Sequence, residues 1–150
     1  MNSQKILRLL HAELVDLSRS AASLEKSVAK CGSLTPSPRQ SFEEEESFDA
    51  LTSKFARTSD MLTQKILKTA VLILREEAPT FIDRMNLCEK LGVIPSAREL
   101  IEVRDLRNTI AHEYAADNLM ELYADTVKLS PSLLAAVTAA TTFVNERMPL

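Results

Sequence analysis

Leu10, Leu17 and Leu24 recur every seven residues, and Leu14, Ala21 and Val28 repeat the same interval between them. Apolar positions spaced alternately by four and three draw one stripe along an α-helix and match no face of a β-strand. The spacing predicts a first helix over about Ser3 to Lys30 whose stripe must be covered by other helices. Cys31-Gly32 is a suitable stop, and the stretch from Ser33 to Pro38, with prolines at 36 and 38, reads as a loop.

The same periodicity continues through the chain. Ser41 and Glu44 have the spacing of a capping box, so a second long helix is expected to begin there. Its stripe runs through Phe48, Leu51, Phe55, Leu62, Ile66 and Ala70, with a bend expected near Arg57-Thr58-Ser59 and an end before Pro79. The acidic run Glu43 to Glu46 falls where a helix dipole favours negative charge, which reads as stabilisation of the N-terminus. A short third helix is expected from Thr80 to Leu91, with Gly92 after it and Cys88 in the core. The fourth, over about Ala97 to Glu113, is capped by Ser96. Beyond Ala116 a shorter segment carries Leu119, Leu122 and Val127, and Ser130-Pro131 is expected to open a separate last helix, because proline suits a first helical position.

No run shows convincing alternation of period two, and no internal repeat is visible. Only two glycines occur in 150 residues, neither in a nucleotide-binding loop pattern, which argues against parallel α/β folds. The expectation is an all-α protein, an antiparallel up-down helical bundle of four to six helices in one domain over residues 1–150. The formal charge of −3 gives no global field for holding nucleic acid, so any such contact must be local. Cys31 and Cys88 belong to no CxxC or Cys/His array, which points to reduced thiols in a cytoplasmic protein without a zinc site. Charges interrupt the N-terminal apolar residues, so neither a signal peptide nor a membrane span is expected there.

The chemistry concentrates in Arg107-Asn108-Thr109-Ile110-Ala111-His112-Glu113-Tyr114. Asn108 and His112, four apart, share one helical stripe, and Arg107 lies on the adjacent one with Arg104 a turn earlier. A guanidinium is long enough to swing toward the imidazole, while Val103, Leu106 and Ile110 hold the helix to the bundle. Such a ridge suits phosphodiester chemistry without metal or cofactor. Histidine moves protons near neutral pH, and arginine stabilises charge on phosphoryl oxygens. Tyr114 offers three roles: positioning a phosphate, stacking on a base, or accepting a modification. Acid-base catalysis usually takes two proton-transfer groups, yet the other histidine, His11, is on the first helix and reads as an exposed surface residue. A homodimer supplies two copies of His112 at a composite site.

The pattern of Arg, four residues, His, any residue and Tyr, with Asn directly after the Arg, resembles the signature of the HEPN superfamily. With its trailing tyrosine it resembles the HepT-like toxins that pair with minimal nucleotidyltransferase antitoxins. The resemblance implies a metal-independent endoribonuclease acting on RNA as a homodimer, with Arg107 and His112 catalytic and Asn108 a polar support. It also implies that the partner can transfer AMP to Tyr114, where added charge and bulk silence the site. Other branches of the superfamily are substrate-binding companions of nucleotidyltransferases that cleave nothing, a second reading of the same motif. A third makes the motif structural, and it requires the ridge to be buried and fully hydrogen-bonded within one protomer. Arg98 and Arg104 extend the basic character of this helix or pair with Glu102 and Asp105, which are themselves weaker candidates for proton transfer.

Overall fold

A computed structural model describes residues 2–112 and 116–150, and every regular element among them is helical. In chain order these are α1 (Ser3–Gly32), α2 (Phe42–Asp60), a π-helical turn (Met61–Ile66), α3 (Leu67–Ile73), α4 (Phe81–Leu91), α5 (Ala97–His112) and α6 (Ala116–Arg147). The all-α bundle expected from the periodicity is the architecture observed. α2, the π turn and α3 run on without a break, so the chain forms five rods.

α1 and the α2–α3 rod lie antiparallel, as their cross-contacts show. Cys31 faces the Ser47 carbonyl, Lys54 donates to Ser27, and Ser20 hydrogen-bonds Thr58 at 2.7 Å. Between them lie the predicted stripes: Leu10, Leu14, Leu17 and Leu24 from α1, and Phe48, Leu51, Phe55, Leu62 and Ile66 from the rod, all buried. Leucine and phenylalanine at these positions each remove about 1.5–3 kcal/mol of apolar surface from water. α6 closes the bundle against α1, α2 and α5, and α4 bridges α3 and α5.

Local chemistry sets the ends of these rods. The Ser41 hydroxyl accepts from the Glu44 amide while the Glu44 carboxylate accepts from the Ser41 amide, a complete capping box. Thr80 caps α4, and Gly92 ends it in the left-handed region at φ 82°, where a Cβ would be strained. That turn drives Val93 and Ile94 into the core. Ser96 caps α5 by accepting from the Glu99 amide, whereas the Ala97 amide goes to the Glu89 carboxylate of α4.

Residues Arg57-Thr58-Ser59, where a bend is expected, are regular α-helix, and just beyond them comes a π turn in which the Leu67 amide reaches back five residues to the Leu62 carbonyl. The buried hydroxyl of Thr58 precedes it, and that of Thr63 lies within it, donating to the Ser59 carbonyl. An extra residue in one turn is a local defect that recurs at functional sites. Here it follows directly on Asp60.

Two expectations are corrected. The last two helices are one, and Pro131 sits inside α6 rather than at the start of a new helix. The buried positions Tyr123, Thr126, Ser130, Leu133, Val137, Ala140 and Val144 continue at alternating three and four residues straight past the proline. Pro131 is exposed, so its ring points away from the buried seam, and its missing amide leaves the Val127 carbonyl without its usual helical donor. Pro131→Ala is therefore expected to raise the stability toward urea by about 1–2 kcal/mol, since the interior proline penalty exceeds its entropic benefit. An unchanged or lower midpoint would mean that the seam needs the proline's geometry.

His11 is the second correction. It is half-buried, and its Nε2 donates to the Met148 carbonyl at 2.6 Å, tying the start of α1 to the end of the chain. It is thus a structural clamp, and no surface residue. α6 is the one helix among the described residues long and apolar enough to cross a membrane by length and composition. Its buried seam packs on α1, α2 and α5.

Cys31 and Cys88 are both free and buried, as read for Cys88. Burial raises both thiols above their ordinary range, Cys88 to about 11. Neither is expected to react with iodoacetamide at about pH 8 in the native protein, and both in urea, because the thiolate is the nucleophile. Labelling of the folded chain would contradict this burial.

Candidate functional site

α5 presents two faces of opposite charge. On one, an open groove of about 790 Å³ runs between α5, α4 and the α2–π segment. Among the described residues that line it, Arg57, Lys65, Arg84, Arg104 and Arg107 are basic and only Asp60 is acidic. A chain of net charge −3 therefore carries a concentrated cationic groove. Such a groove is the local field that an acidic protein needs to hold a phosphodiester. Across α5, a second groove of about 690 Å³ gathers Glu102, Asp105, Glu121 and Asp125 around the single cation Lys128. Glu102 and Asp105 thus face away from Arg107, which leaves them no role in proton transfer beside it.

Arg107 meets Asp60 in a bidentate pair, Nε to Oδ1 and Nη2 to Oδ2 both at 2.8 Å. Two parallel charge-assisted bonds fix the guanidinium plane as well as its position. These hydrogen bonds also hold Arg107 more firmly protonated than a free arginine, against a smaller opposing effect of burial. Both partners remain partly exposed, so the pair contributes geometry more than stability. Asp60 was missed in the sequence because nothing periodic links it to a residue 47 positions away. The bend expected just before it was the one available hint.

The ridge is not assembled as expected within one chain. Arg107 and Asn108 line the groove, but His112 does not, and it stands exposed at the last residue of α5. Five residues of helix rotate His112 by about 140° from Arg107. The guanidinium swings toward Asp60 on α2, away from the imidazole's side. Asn108 is exposed too, one turn before His112 on the same stripe. Val103 is buried, and Leu106 and Ile110 pack against the core, so the apolar flank holds α5 as anticipated. Tyr114 lies outside the described residues. With Asn108 and His112 at the surface, a purely structural, fully satisfied motif has no support.

Arg104 and Phe81 complete the groove. The Arg104 guanidinium sits over the Phe81 ring, 4.4 Å from its centroid, and also bonds Asp105. Arg84 approaches the same ring at 5.7 Å. Arg84 escaped notice in the sequence, although it shares a stripe with Phe81 and Cys88, three and four residues away, a position otherwise reserved for core side chains. An arginine on a buried stripe is the signal that was available. Among the described residues no group of three or more His, Cys, Asp or Glu side chains is gathered as a metal site.

Comparison of the chain with protein-family models, with curated proteins and with solved structures finds no match in any of the three.

Proposed function

We propose that the protein is a HEPN-type, metal-independent endoribonuclease toxin that acts as a homodimer in the cytoplasm. The observation that carries this reading is Arg107, oriented by Asp60 at the edge of a cationic groove, on the same helix that ends in an exposed His112. In the reaction, the ribose 2′-oxygen attacks the adjacent phosphorus and the bond from phosphorus to the 5′-oxygen breaks. One proton leaves the 2′-hydroxyl and one is delivered to the departing 5′-oxygen, giving a 2′,3′-cyclic phosphate and a 5′-hydroxyl. Each transfer takes an imidazole in the opposite protonation state, so two copies of His112 from facing chains serve as base and acid. Arg107 stabilises the charge on the non-bridging oxygens, and Asn108 donates beside it.

The partner in this reading is a minimal nucleotidyltransferase antitoxin. The Tyr114 hydroxyl attacks the α-phosphorus of ATP, pyrophosphate leaves, and the resulting AMP ester places negative charge two residues from His112. That charge repels the RNA backbone.

A second reading is favoured by one specific observation: in a single protomer Arg107 is tied to Asp60 and His112 stays outside the groove. A non-catalytic companion that presents substrate to a nucleotidyltransferase needs the groove and no convergence of the two residues. The experiment is incubation of the purified chain with single-stranded RNA in excess EDTA, with its oligomeric state measured in parallel. Cleavage by a dimer supports the ribonuclease. RNA left intact by a dimer that still binds a nucleotidyltransferase overturns it in favour of the companion.

A further inference from the structure

Arg84 is nine-tenths buried on α4, yet its Nε has no hydrogen-bond partner, and no carboxylate forms an ion pair with it among the described residues. Removing an ammonium or guanidinium from water without a counter-charge is costly, and chains rarely leave one so. Burial accordingly lowers its proton affinity, against a smaller opposing effect of the Cys88 thiol. The side chain nevertheless lines the groove that holds Arg104 and Arg107. The Arg84 and Arg104 guanidinia share the Phe81 ring, which is within cation–π distance of both. Asp60, the groove's acid, is already committed to Arg107 through both of its oxygens. An anion entering the groove is the missing partner for Arg84.

We infer that Arg84, with Arg104 beside it over Phe81, forms a phosphate-binding subsite that takes a backbone phosphate of single-stranded RNA flanking the one cut at Arg107. The identity of the ligand as RNA rests on the ribonuclease reading, whereas the anion site itself does not. A cation already partly desolvated loses less water on binding phosphate, and a phosphate contact reads backbone position in place of base identity. The subsite therefore sets where the strand lies and how tightly, while the motif on α5 sets the chemistry.

The test measures binding of a fluorescein-labelled single-stranded RNA dodecamer in EDTA, in a His112→Ala background that blocks cleavage. Arg84→Met is expected to weaken binding about tenfold or more, the worth of a charge-assisted hydrogen bond. It is also expected to lower the salt slope by about 0.7, the value for one phosphate contact on a single strand. Arg84→Lys, which keeps the charge and loses the planar fork, is expected to fall between the two. Thermal melting checks the fold of each variant. As a readout independent of mutation, RNA is expected to shift the Arg84 Nε–Hε resonance of the unmutated side chain. Binding within twofold of the parent, with an unmoved Nε–Hε signal, would overturn the subsite. AMP that binds as tightly as the dodecamer with the same dependence on Arg84 would make this a mononucleotide pocket and also overturn it. Failure of the ribonuclease reading appears separately, as intact RNA with the chain carrying His112, whatever Arg84 does.

Discussion

Replacing His112 with alanine is expected to reduce RNA cleavage by about 10²–10⁴-fold, the usual contribution of a positioned acid or base. The chain should still melt at an unchanged temperature. The two halves of that result have separate causes. His112 is exposed at the end of α5, so its removal opens no cavity and breaks no buried bond. In a dimer the substitution removes both proton-transfer groups at once, and little is left except electrostatic stabilisation by Arg107. Arg107→Ala should be comparably harmful for a different reason, because it removes that stabilisation and leaves Asp60 as an unpaired negative charge in the cationic groove.

The largest stability effect is expected at Phe48, which is fully buried and stacks on Tyr123 of α6 with ring centroids 4.8 Å apart. The Tyr123 hydroxyl in turn donates to Asp49 at 2.5 Å, and burial, with that bond and the nearby carboxylates, raises its proton affinity well above the ordinary phenol. Phe48→Ala removes the ring that joins α2 to α6 and is expected to cost about 3–5 kcal/mol. In a chain of this size that lowers the melting temperature by on the order of 10 °C. Phe42→Ala, at a ring 73% exposed six residues earlier, should change stability by no more than about 0.5 kcal/mol. Equal effects at the two positions would contradict the placement of the α2–α6 seam.

Much of this fold was legible because helices declare themselves locally. The heptad of Leu10, Leu17 and Leu24, the Ser41 and Glu44 capping box, Thr80 before α4 and Gly92 after it each encode a structural event within one or two turns. The misreading at Pro131 shows where local rules compete. Proline favours a first helical position, but a stripe that continues to be buried past it, with Ser130 and Thr126 hydroxyls bonded back to carbonyls, keeps the helix intact. The site was legible only along α5. Arg107, Asn108 and His112 announce themselves by spacing, but Asp60 reaches Arg107 from another rod, and Arg84 acquires its meaning from the groove it lines. Pairings of that kind are tertiary, and no periodicity carries them. His11 illustrates the same limit, since its partner is a backbone carbonyl 137 residues away.

The groove and the motif also divide their labour in a way that net charge alone conceals. In the proposed reading, the cations that line one face of α5 and the carboxylates that line the other draw a phosphodiester to a single track. Binding should therefore weaken steeply with salt even though the whole protein is negatively charged.

The central claim is that this chain cuts RNA by proton transfer from paired histidines. It is tested most directly by the end groups of single-stranded RNA treated with the purified dimer in excess EDTA. The account predicts fragments ending in 2′,3′-cyclic phosphate and beginning in 5′-hydroxyl, formed at least about 10²-fold more slowly by the His112→Ala chain. Fragments that begin in 5′-phosphate, or RNA that stays intact with a verified dimer, would contradict it.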